Sequence, residues 1–372
     1  MKKVLKGTAM LFLLGFVFAG CGVKDKAVAP VDPTVENTSQ EVTQAKQVDS
    51  DSDIDPEVLL NSLRNHTALI PIGDAVIPED NPMTLEVLAL GQALFFDPRL
   101  SGNNEVSCQT CHDPNLGYGD AKPTFATYDG GNGKRNSPTV INTSYYSTFF
   151  WDGRADTLEE QALGPIENPD EMNQPLDELI LELKAVKGYE DMFQTAFNDG
   201  ITKQNVAKAL AAFQRQIVVK NTSYDRFLQG DTAALSNEEV RGLNLFTSKA
   251  MCITCHNGPN LTDNNYYNIG LNTEDLGRFA VTGDERDLGR IRTPGLYGIT
   301  HTAPYMRDGS IATLEEVINY YDRGGDHHPN KSFFMKQFMN PLGLSDQEKA
   351  DLLAFLKTLG GEPPIFSKPE LP

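Results

Sequence analysis

Two short segments of this 372-residue sequence have the residue types and spacing to attach a redox cofactor. Residues 108–112 and 252–256 each read Cys-x-x-Cys-His. Two thiols about one helical turn apart reach both vinyl groups of one haem, and the adjacent histidine then lies under the iron as its proximal ligand. A redox disulfide or a four-cysteine zinc site would not need the histidines. The pattern predicts two c-type haems, held by Cys108, Cys111, His112, Cys252, Cys255 and His256.

A second set of candidate residues lies between these motifs. It comprises the only tryptophan, Trp151, with Gln161 and Glu171. Leu158, Gln161 and Ala162 are spaced i, i+3 and i+4, so Gln161 shares an apolar helix face and points inward. A buried carboxylate held over iron can move a proton between the two oxygens of a peroxide. The alternatives are an ordinary buried glutamine, a surface glutamate and a core tryptophan.

The fifth cysteine, Cys21, belongs to a predicted export signal. Three lysines precede an apolar run that is too short to span a bilayer comfortably, and Ala19–Gly20–Cys21 resembles a bacterial lipobox. Phe18 stands where such boxes usually carry leucine, so ordinary secretion is the alternative. We expect a periplasmic protein that is anchored to a membrane only through acyl chains on Cys21.

The charge balance bears on the partners of the protein. A formal net charge of −19 argues against nucleic acid and suits a basic partner such as a small cytochrome. The acidic segment after Cys21 has no apolar periodicity, which is typical of a flexible tether.

Helix signals dominate the rest of the chain. Capping boxes predict helices that begin after Thr157, Ser236, Thr313 and Ser345, and an apolar stripe predicts another over residues 205–218. Strand signals are few. Similar phrases, Leu-Gly-x-x-Leu-Phe at 90–95 and Arg-Gly-x-x-Leu-Phe at 241–246, lead into the two motifs. The predicted fold is therefore mainly α, with two c-type cytochrome domains and long loops.

The predicted domain organisation follows from these patterns. It is a signal peptide at 1–20, a flexible acidic tether at 21–65, an N-terminal haem domain at 66–229, a C-terminal haem domain at 230–361 and a tail at 362–372.

Several longer phrases carry a family resemblance. They include LGQALFFDPRLS, RNSPTVIN, FFWDGRADTLEEQALGPIENPDEM, CITCHNGPNLTD and RTPGLYGITHTAPYMRDGSIATLEEV. Over residues 71–359 the chain resembles the bacterial dihaem cytochrome c peroxidases and their relative MauG. The resemblance implies that the N-terminal haem reacts with hydrogen peroxide, that the C-terminal haem relays an electron, and that a calcium ion lies between them.

The resemblance also implies residue roles. His112 and His256 would be the proximal ligands of the reactive and the relay haem. Trp151 would connect the two haems, and Gln161 and Glu171 would position peroxide and move its proton. The implied calcium ligands are Asn136, Thr302 and Pro304.

Two departures from the peroxidase pattern concern the iron ligands. Tyr321 stands where peroxidases of this family usually carry a ligating methionine and MauG a tyrosine, and its helical spacing points it inward while Tyr320 points away. The alternative is a core tyrosine. Residues 113–139 contain no histidine to block the first iron, and Tyr128 falls near the expected place. Arg307 stands where many relatives have histidine.

The sequence as a whole predicts a dihaem peroxidase that reduces hydrogen peroxide with electrons from a small cytochrome or cupredoxin. One alternative is a MauG-like oxidase of a protein substrate, which Tyr321 and the missing histidine favour. The other is a dihaem electron carrier without enzymatic activity. Related proteins suggest a homodimer.

Overall fold

The computed structural model describes residues 54–64, 69–271, 274–326, 331 and 333–372, and this part of the chain is mainly helical. The helices are α1 (Pro56–Arg64), α2 (Leu85–Phe95), α3 (Cys108–Cys111), α4 (Leu158–Glu167), α5 (Leu176–Lys184), α6 (Lys187–Ala196), α7 (Lys203–Arg215), α8 (Ser223–Leu228), α9 (Asn237–Thr247), α10 (Phe279–Thr282), α11 (Leu314–Asp322), α12 (Phe333–Phe338) and α13 (Asp346–Lys357). Two short strands, β1 (Tyr266–Tyr267) and β2 (Ile291–Arg292), pair antiparallel. We call residues 69–229 the first half and residues 230–361 the second half.

The four predicted capping boxes begin helices. Thr157, Ser236, Thr313 and Ser345 each accept a hydrogen bond from the backbone N–H three residues later, at the starts of α4, α9, α11 and α13. Each bond satisfies one of the amide groups that a helix start leaves without an intrahelical partner. The predicted stripe forms α7, and its residues are almost all buried.

Each half contains one close helix crossing built around a glycine. Gly91 of α2 faces α7 so closely that an added Cβ would lie 2.0 Å from the carbonyl oxygen of Ala209. Gly242 of α9 faces α13 in the same way, with 2.0 Å to the oxygen of Asp351. The repeated Gly-x-x-Leu-Phe phrase therefore has a packing reason, because only glycine allows the two backbones to approach this closely.

The same two crossings are filled by equivalent aromatic pairs. The ring centroids of Phe95 and Phe213 are 5.0 Å apart, and those of Phe246 and Phe355 are 5.1 Å apart. All four side chains are buried. Each half thus contains one helix pair packed through a glycine and two phenylalanines. The first helix of each pair, α2 or α9, precedes a Cys-x-x-Cys-His motif.

A seven-residue turn also occurs once in each half, shortly before α4 and α11. Phe149 N donates to Ala155 O at 2.9 Å, and Tyr305 N donates to Ile311 O at 2.6 Å. Equivalent residues take positive φ angles, namely Phe150 (64°) and Gly153 (68°) in the first turn and Met306 (72°) and Gly309 (60°) in the second. Because the turns and caps match, positions along α4 and α11 can be compared residue by residue.

The predicted tether extends too far toward the first half. Residues 56–64, which the sequence analysis assigned to it, form α1, and Leu59, Leu60 and Leu63 on this helix are buried. The three leucines bring a short apolar face that packs on the core. The predicted signal peptide and Cys21 lie outside the described residues. Within the described part of the chain, no helix has the length and apolar character needed to cross a membrane.

We predict that Gly91→Ala and Gly242→Ala each destabilise the protein by about 1–3 kcal/mol, because the new methyl group would overlap a backbone carbonyl of the partner helix. Chemical denaturation of the haem-loaded protein measures the loss. Gly73→Ala is the control, since nothing lies within 4 Å of the Cβ that it adds. Equal midpoints for all three variants would contradict the close crossing.

Candidate haem sites and the first cleft

The two motifs present their histidines in the same way. His112 Nδ1 lies 3.1 Å from the backbone oxygen of Tyr118, and His256 Nδ1 lies 3.1 Å from that of Leu261. Tyr118 and Leu261 both have left-handed backbones, with φ of 56° and 50°. A hydrogen bond from Nδ1 to a carbonyl fixes the ring and leaves Nε2 for a metal, which is the arrangement of a metal-binding histidine.

The protonation of the motif side chains supports this assignment. Burial lowers the pKa of His112 and of His256, which keeps both imidazoles neutral and able to bind iron. Burial raises the pKa of the Cys108 thiol to about 12 and of the Cys111 thiol to about 11. Reactive disulfide-exchange cysteines have lowered pKa values, so the Cys-x-x-Cys pair does not fit a redox disulfide.

One cleft brings most of the predicted residues together. Cys108, Cys111 and His112 line it with all three predicted catalytic residues, which are Trp151, Gln161 and Glu171. The predicted calcium ligands Asn136, Thr302 and Pro304 line the same cleft. The inward position of Gln161 on α4 is as expected from its spacing.

Residues of this cleft fit a bound haem. The side chains of Ser137, Thr143 and Arg292 are buried, and each has a donor atom without a hydrogen-bond partner among the described residues: Oγ, Oγ1 and Nε. A haem carries two propionate carboxylates that accept hydrogen bonds from such donors. The cleft therefore supplies both the thiols and histidine for attachment and polar groups for the propionates.

Glu171 is held in a fixed position at the cleft. Its Oε1 accepts a hydrogen bond from Asn168 Nδ2 at 2.7 Å, and its backbone N–H donates to the oxygen of Asn168 at 3.0 Å. Burial raises the pKa of Glu171, although Asn168 and the charge of Arg154 oppose the rise. A carboxyl group with a raised pKa is suited to taking and returning a proton near neutral pH.

Trp151 is held from both halves of the molecule. Its indole Nε1 donates to the oxygen of Asn136 at 2.9 Å, and its own carbonyl accepts from Arg292 N at 2.9 Å. The return contact runs from Asn136 N to Arg307 O at 2.7 Å. Arg307 occupies the position in the second turn that Trp151 occupies in the first. The two halves therefore exchange equivalent backbone hydrogen bonds.

An ion-pair network that the sequence analysis missed surrounds Trp151. Arg135 binds Asp152 at 2.7 Å and Asp275 at 2.7 Å, and Arg307 Nε lies 3.7 Å from Asp275. Burial pushes the pKa of Asp275 upward, but its hydrogen bonds to Arg135 outweigh this and hold the pKa below its ordinary value. The Asp-Gly phrase shared by both turns was a visible signal for Asp152. Asp275 lies 140 residues from Arg135, and no sequence pattern indicated that the two would pair.

The predicted calcium ligands offer oxygen atoms, the ligand type that calcium prefers. Asn136 Nδ2 donates to the oxygen of Lys122 at 2.7 Å. Among the described residues, no group of three or more histidine, cysteine, aspartate or glutamate side chains could hold a metal ion. A cation there would therefore depend on the Asn136 side chain and on the backbone carbonyls of Thr302 and Pro304, oxygen donors that calcium accepts.

The prediction for the two tyrosines of α11 was half wrong. Tyr320 was expected to point away from the core, but it is 1% exposed and its hydroxyl donates to Ile269 O at 3.1 Å. The buried face of this helix is wider than the predicted stripe and reaches Tyr320, while Glu315, Glu316 and Asn319 on the opposite side are exposed. Burial raises the pKa of the Tyr321 phenol, and Tyr320 and the thiols of Cys252 and Cys255 raise it further. Tyr321 therefore lies near the second motif.

Tyr128, which falls near the expected place of the missing histidine, contacts the loop that carries Glu171. It is not among the described residues that line the cleft. Its backbone N–H donates to Asp170 O at 3.0 Å, next to Glu171. Tyr128 thus supports the loop that carries the candidate acid.

Comparisons with known proteins agree with this geometry. Residues 86–233 match the family model of di-haem cytochrome c peroxidase, and residues 239–360 match that of cytochrome c. The methylamine utilization protein MauG of Methylorubrum extorquens is 43% identical, with 79% of this chain and 84% of that protein covered. The cytochrome c551 peroxidase of Nitrosomonas europaea is 36% identical, with 80% and 86% covered. A solved MauG-like protein associated with microbial copper homeostasis is 35% identical, with a TM-score of 0.71 and 77% and 93% covered.

We predict that Asp275→Asn destabilises the haem-loaded protein by roughly 3 kcal/mol, because it removes one carboxylate from a largely buried network and leaves Arg135 and Arg307 undercompensated. The midpoint of denaturant unfolding is the measurement. Asp284→Asn is the matched control, since the Asp284–Arg286 pair is solvent-exposed and contributes little. An Asp275→Asn midpoint equal to that of the control would show that the network does not hold the Trp151 turn.

Proposed function

This chain belongs to the family of dihaem cytochrome c peroxidases and MauG, oxidoreductases with two c-type haems; from that membership we propose that it reduces hydrogen peroxide to water. The electrons would come from a small redox protein, a cytochrome or a cupredoxin. The reaction consumes two electrons and two protons for each peroxide and yields two waters. When bound, the haems supply the redox chemistry, the first toward peroxide and the second toward the donor.

The observation that carries the proposal is the shared cleft. Glu171 and Gln161 line the same cleft as Cys108, Cys111 and His112. A haem protein that only carries electrons needs no proton-transfer group at its iron. A half-buried carboxyl group with a raised pKa, in the same cleft as the Gln161 amide, suits the cleavage of an O–O bond.

The roles of the two side chains follow from their atoms. Asn168 occupies Oε1 of Glu171, which leaves Oε2 to take a proton from one peroxide oxygen and return it to the other. The Gln161 side-chain amide can donate a hydrogen bond to the peroxide and orient it. Both act from fixed positions, because Gln161 lies on α4 and Glu171 lies in a loop closed by backbone hydrogen bonds.

Matching α4 with α11 supports an open first site and a closed second site. The eighth residue after the helix cap is Pro165 in α4 and Tyr321 in α11. Pro165 lines the first cleft and has no side-chain atom that can bind iron. Tyr321 lies near Cys252 and Cys255 and carries a phenol oxygen. We propose that Tyr321 is the sixth ligand of the second haem and that the first haem keeps a free position for peroxide.

Trp151 is the proposed connection between the two haem sites. It lines the first cleft, and the second half holds its backbone through Arg292. The proposed calcium ligands, Asn136, Thr302 and Pro304, lie along the same cleft, and the Asn136 carbonyl already fixes the indole. A cation there would stabilise the segment against which Trp151 is held.

Oxidation of a protein substrate in the manner of MauG is the second candidate. Tyr321 favours it, because a phenolate ligand lowers the potential of a haem relative to methionine. The two candidates differ in the use of a donor. Rapid oxidation of a reduced cytochrome after mixing with peroxide indicates a peroxidase. Slow oxidation of that donor, together with a long-lived oxidised state of the peroxide-treated protein, indicates the MauG-like activity.

The cellular setting is part of the proposal. An export signal and a lipidated Cys21 would place the protein in the periplasm, tethered to a membrane by acyl chains and not by a spanning helix. The net charge of −19 suits a basic electron donor. We also propose a homodimer, by analogy with the family.

We predict that Glu171→Gln lowers the rate of peroxide-dependent donor oxidation by about 10²–10⁴-fold, since the amide cannot take the proton. In the wild-type protein the rate should rise with pH through a value above the ordinary glutamate pKa of 4.5, as the carboxyl loses its proton. The variant should lack this inflection.

Glu167→Gln is the matched control for that experiment. Glu167 is the last residue of α4, exposed and outside the cleft lining. Its rate and pH profile should equal those of the wild type. Unchanged turnover in Glu171→Gln would remove Glu171 from the mechanism.

A further inference from the structure

The tail after α13 returns to the first half of the molecule. His301 Nε2 lies 3.0 Å from Gly361 O where the tail begins. Further along, the rings of Phe366 and Phe213 are 5.2 Å apart, and Gln92 Nε2 donates to the oxygen of Ser367 at 2.9 Å. Residues 362–372 are therefore an ordered strap that lies against α2 and α7, the helix pair at the centre of the first half.

The strap contacts the residue that holds the first histidine. The Tyr118 hydroxyl donates to the Pro364 carbonyl at 2.7 Å. The backbone oxygen of the same tyrosine lies 3.1 Å from His112 Nδ1. Tyr118 is 0% exposed, so its side chain cannot exchange this partner for water. One residue thus joins the strap to the candidate ligand of the first haem.

The equivalent position in the second half lacks such an anchor. Leu261 offers its carbonyl to His256 at the same 3.1 Å and has a similar backbone, but it has no polar side-chain atom. Leu261 is also 0% exposed. A carbonyl on a buried left-handed residue is therefore sufficient to hold a histidine. The hydroxyl of Tyr118 is an additional, directional constraint at the first site alone.

We propose that the strap, through the Tyr118 hydroxyl, positions His112 and sets the reduction potential of the first haem. The inference rests on the role proposed above for His112 as the proximal ligand. Tyr118 is a positioning residue in this account, since it acts on the iron only through the imidazole.

The physical basis is the hydrogen bond of Nδ1, the ring nitrogen of His112 that does not bind the iron. When Nδ1–H donates to a well-aligned acceptor, the imidazole becomes more basic and binds ferric iron more strongly. Stronger binding of the ferric state lowers the reduction potential. Releasing the phenol from Pro364 lets the Tyr118 carbonyl move out of line, which weakens the hydrogen bond and raises the potential.

The test is Tyr118→Phe in the haem-loaded full chain, with the potential of each haem measured by spectroelectrochemistry. We expect a positive shift for the first haem, large enough to raise its ferrous-to-ferric ratio severalfold at the wild-type midpoint. The second haem is an internal reference and should not move. Tyr145→Phe is the matched control, because it removes a phenol-to-carbonyl hydrogen bond of 2.6 Å, to Gly73, at a residue that holds no histidine.

A truncation after Glu362 tests the same contact from the other side. It should shift the first haem in the same direction and leave the second unchanged. Adding Tyr118→Phe to the truncated chain should have no further effect, because the acceptor of the hydroxyl is already gone. The truncation alone, compared with the wild type, still tests the contact if Tyr118→Phe impairs haem incorporation.

Three results would overturn the inference. They are an unchanged first haem in both variants, equal shifts of both haems, and additive effects of the substitution and the truncation. None of them depends on peroxide turnover. A wild-type protein that does not reduce peroxide would refute the proposed function and leave the potentials to decide the role of the strap.

Discussion

Two backbone hydrogen bonds cross between the halves in opposite directions, and the site depends on them. Asn136 N donates to Arg307 O, and Arg292 N donates to Trp151 O. Each half thereby holds the turn of the other half that precedes α4 or α11. A buried backbone group that loses its hydrogen-bond partner costs free energy. Separating the two halves would leave these N–H and C=O groups exposed to water or without a partner. Trp151 is held at its carbonyl by one half and at its indole by the other.

The crossed arrangement makes the differences between the halves informative. The turns, the helix caps, the glycine crossings and the histidine carbonyls are equivalent. Three of the positions at which the side chains differ bear on the proposed chemistry: Trp151 against Arg307, Pro165 against Tyr321, and Tyr118 against Leu261. In each pair the chemical property changes while the backbone does not. A shared scaffold with changed side chains at these positions supports the proposal that one site accepts peroxide and the other does not.

Much of the local structure was predictable from the sequence, because its causes are local. The capping boxes marked helix starts, the spacing of Gln161 placed it at the cleft, and the Cys-x-x-Cys-His motifs identified the haem sites. The stripe argument failed for Tyr320, because the buried face of α11 is wider than an i, i+3, i+4 stripe and includes this side chain. The acidic composition before residue 65 hid the three leucines that make α1 pack.

The long-range contacts could not be predicted from a single sequence. Arg135 and Asp275 are 140 residues apart, and Tyr118 and Pro364 are 246 residues apart. No local pattern announces which distant carboxylate or carbonyl a buried side chain will meet. The seven-residue turn before α4 and α11 was the exception. The repeated Asp-Gly in this turn and the Thr-Leu-Glu-Glu that follows it could have revealed the equivalence of the two halves.

The asymmetry between Pro165 and Tyr321 is the central claim, and electron paramagnetic resonance of the ferric haem-loaded protein tests it most directly. The account predicts one high-spin haem with an open position and one low-spin haem. Tyr321→Phe should change the low-spin signal and leave the high-spin signal unchanged. Two low-spin signals in the wild-type protein, or a Tyr321→Phe spectrum identical to it, would contradict the assignment.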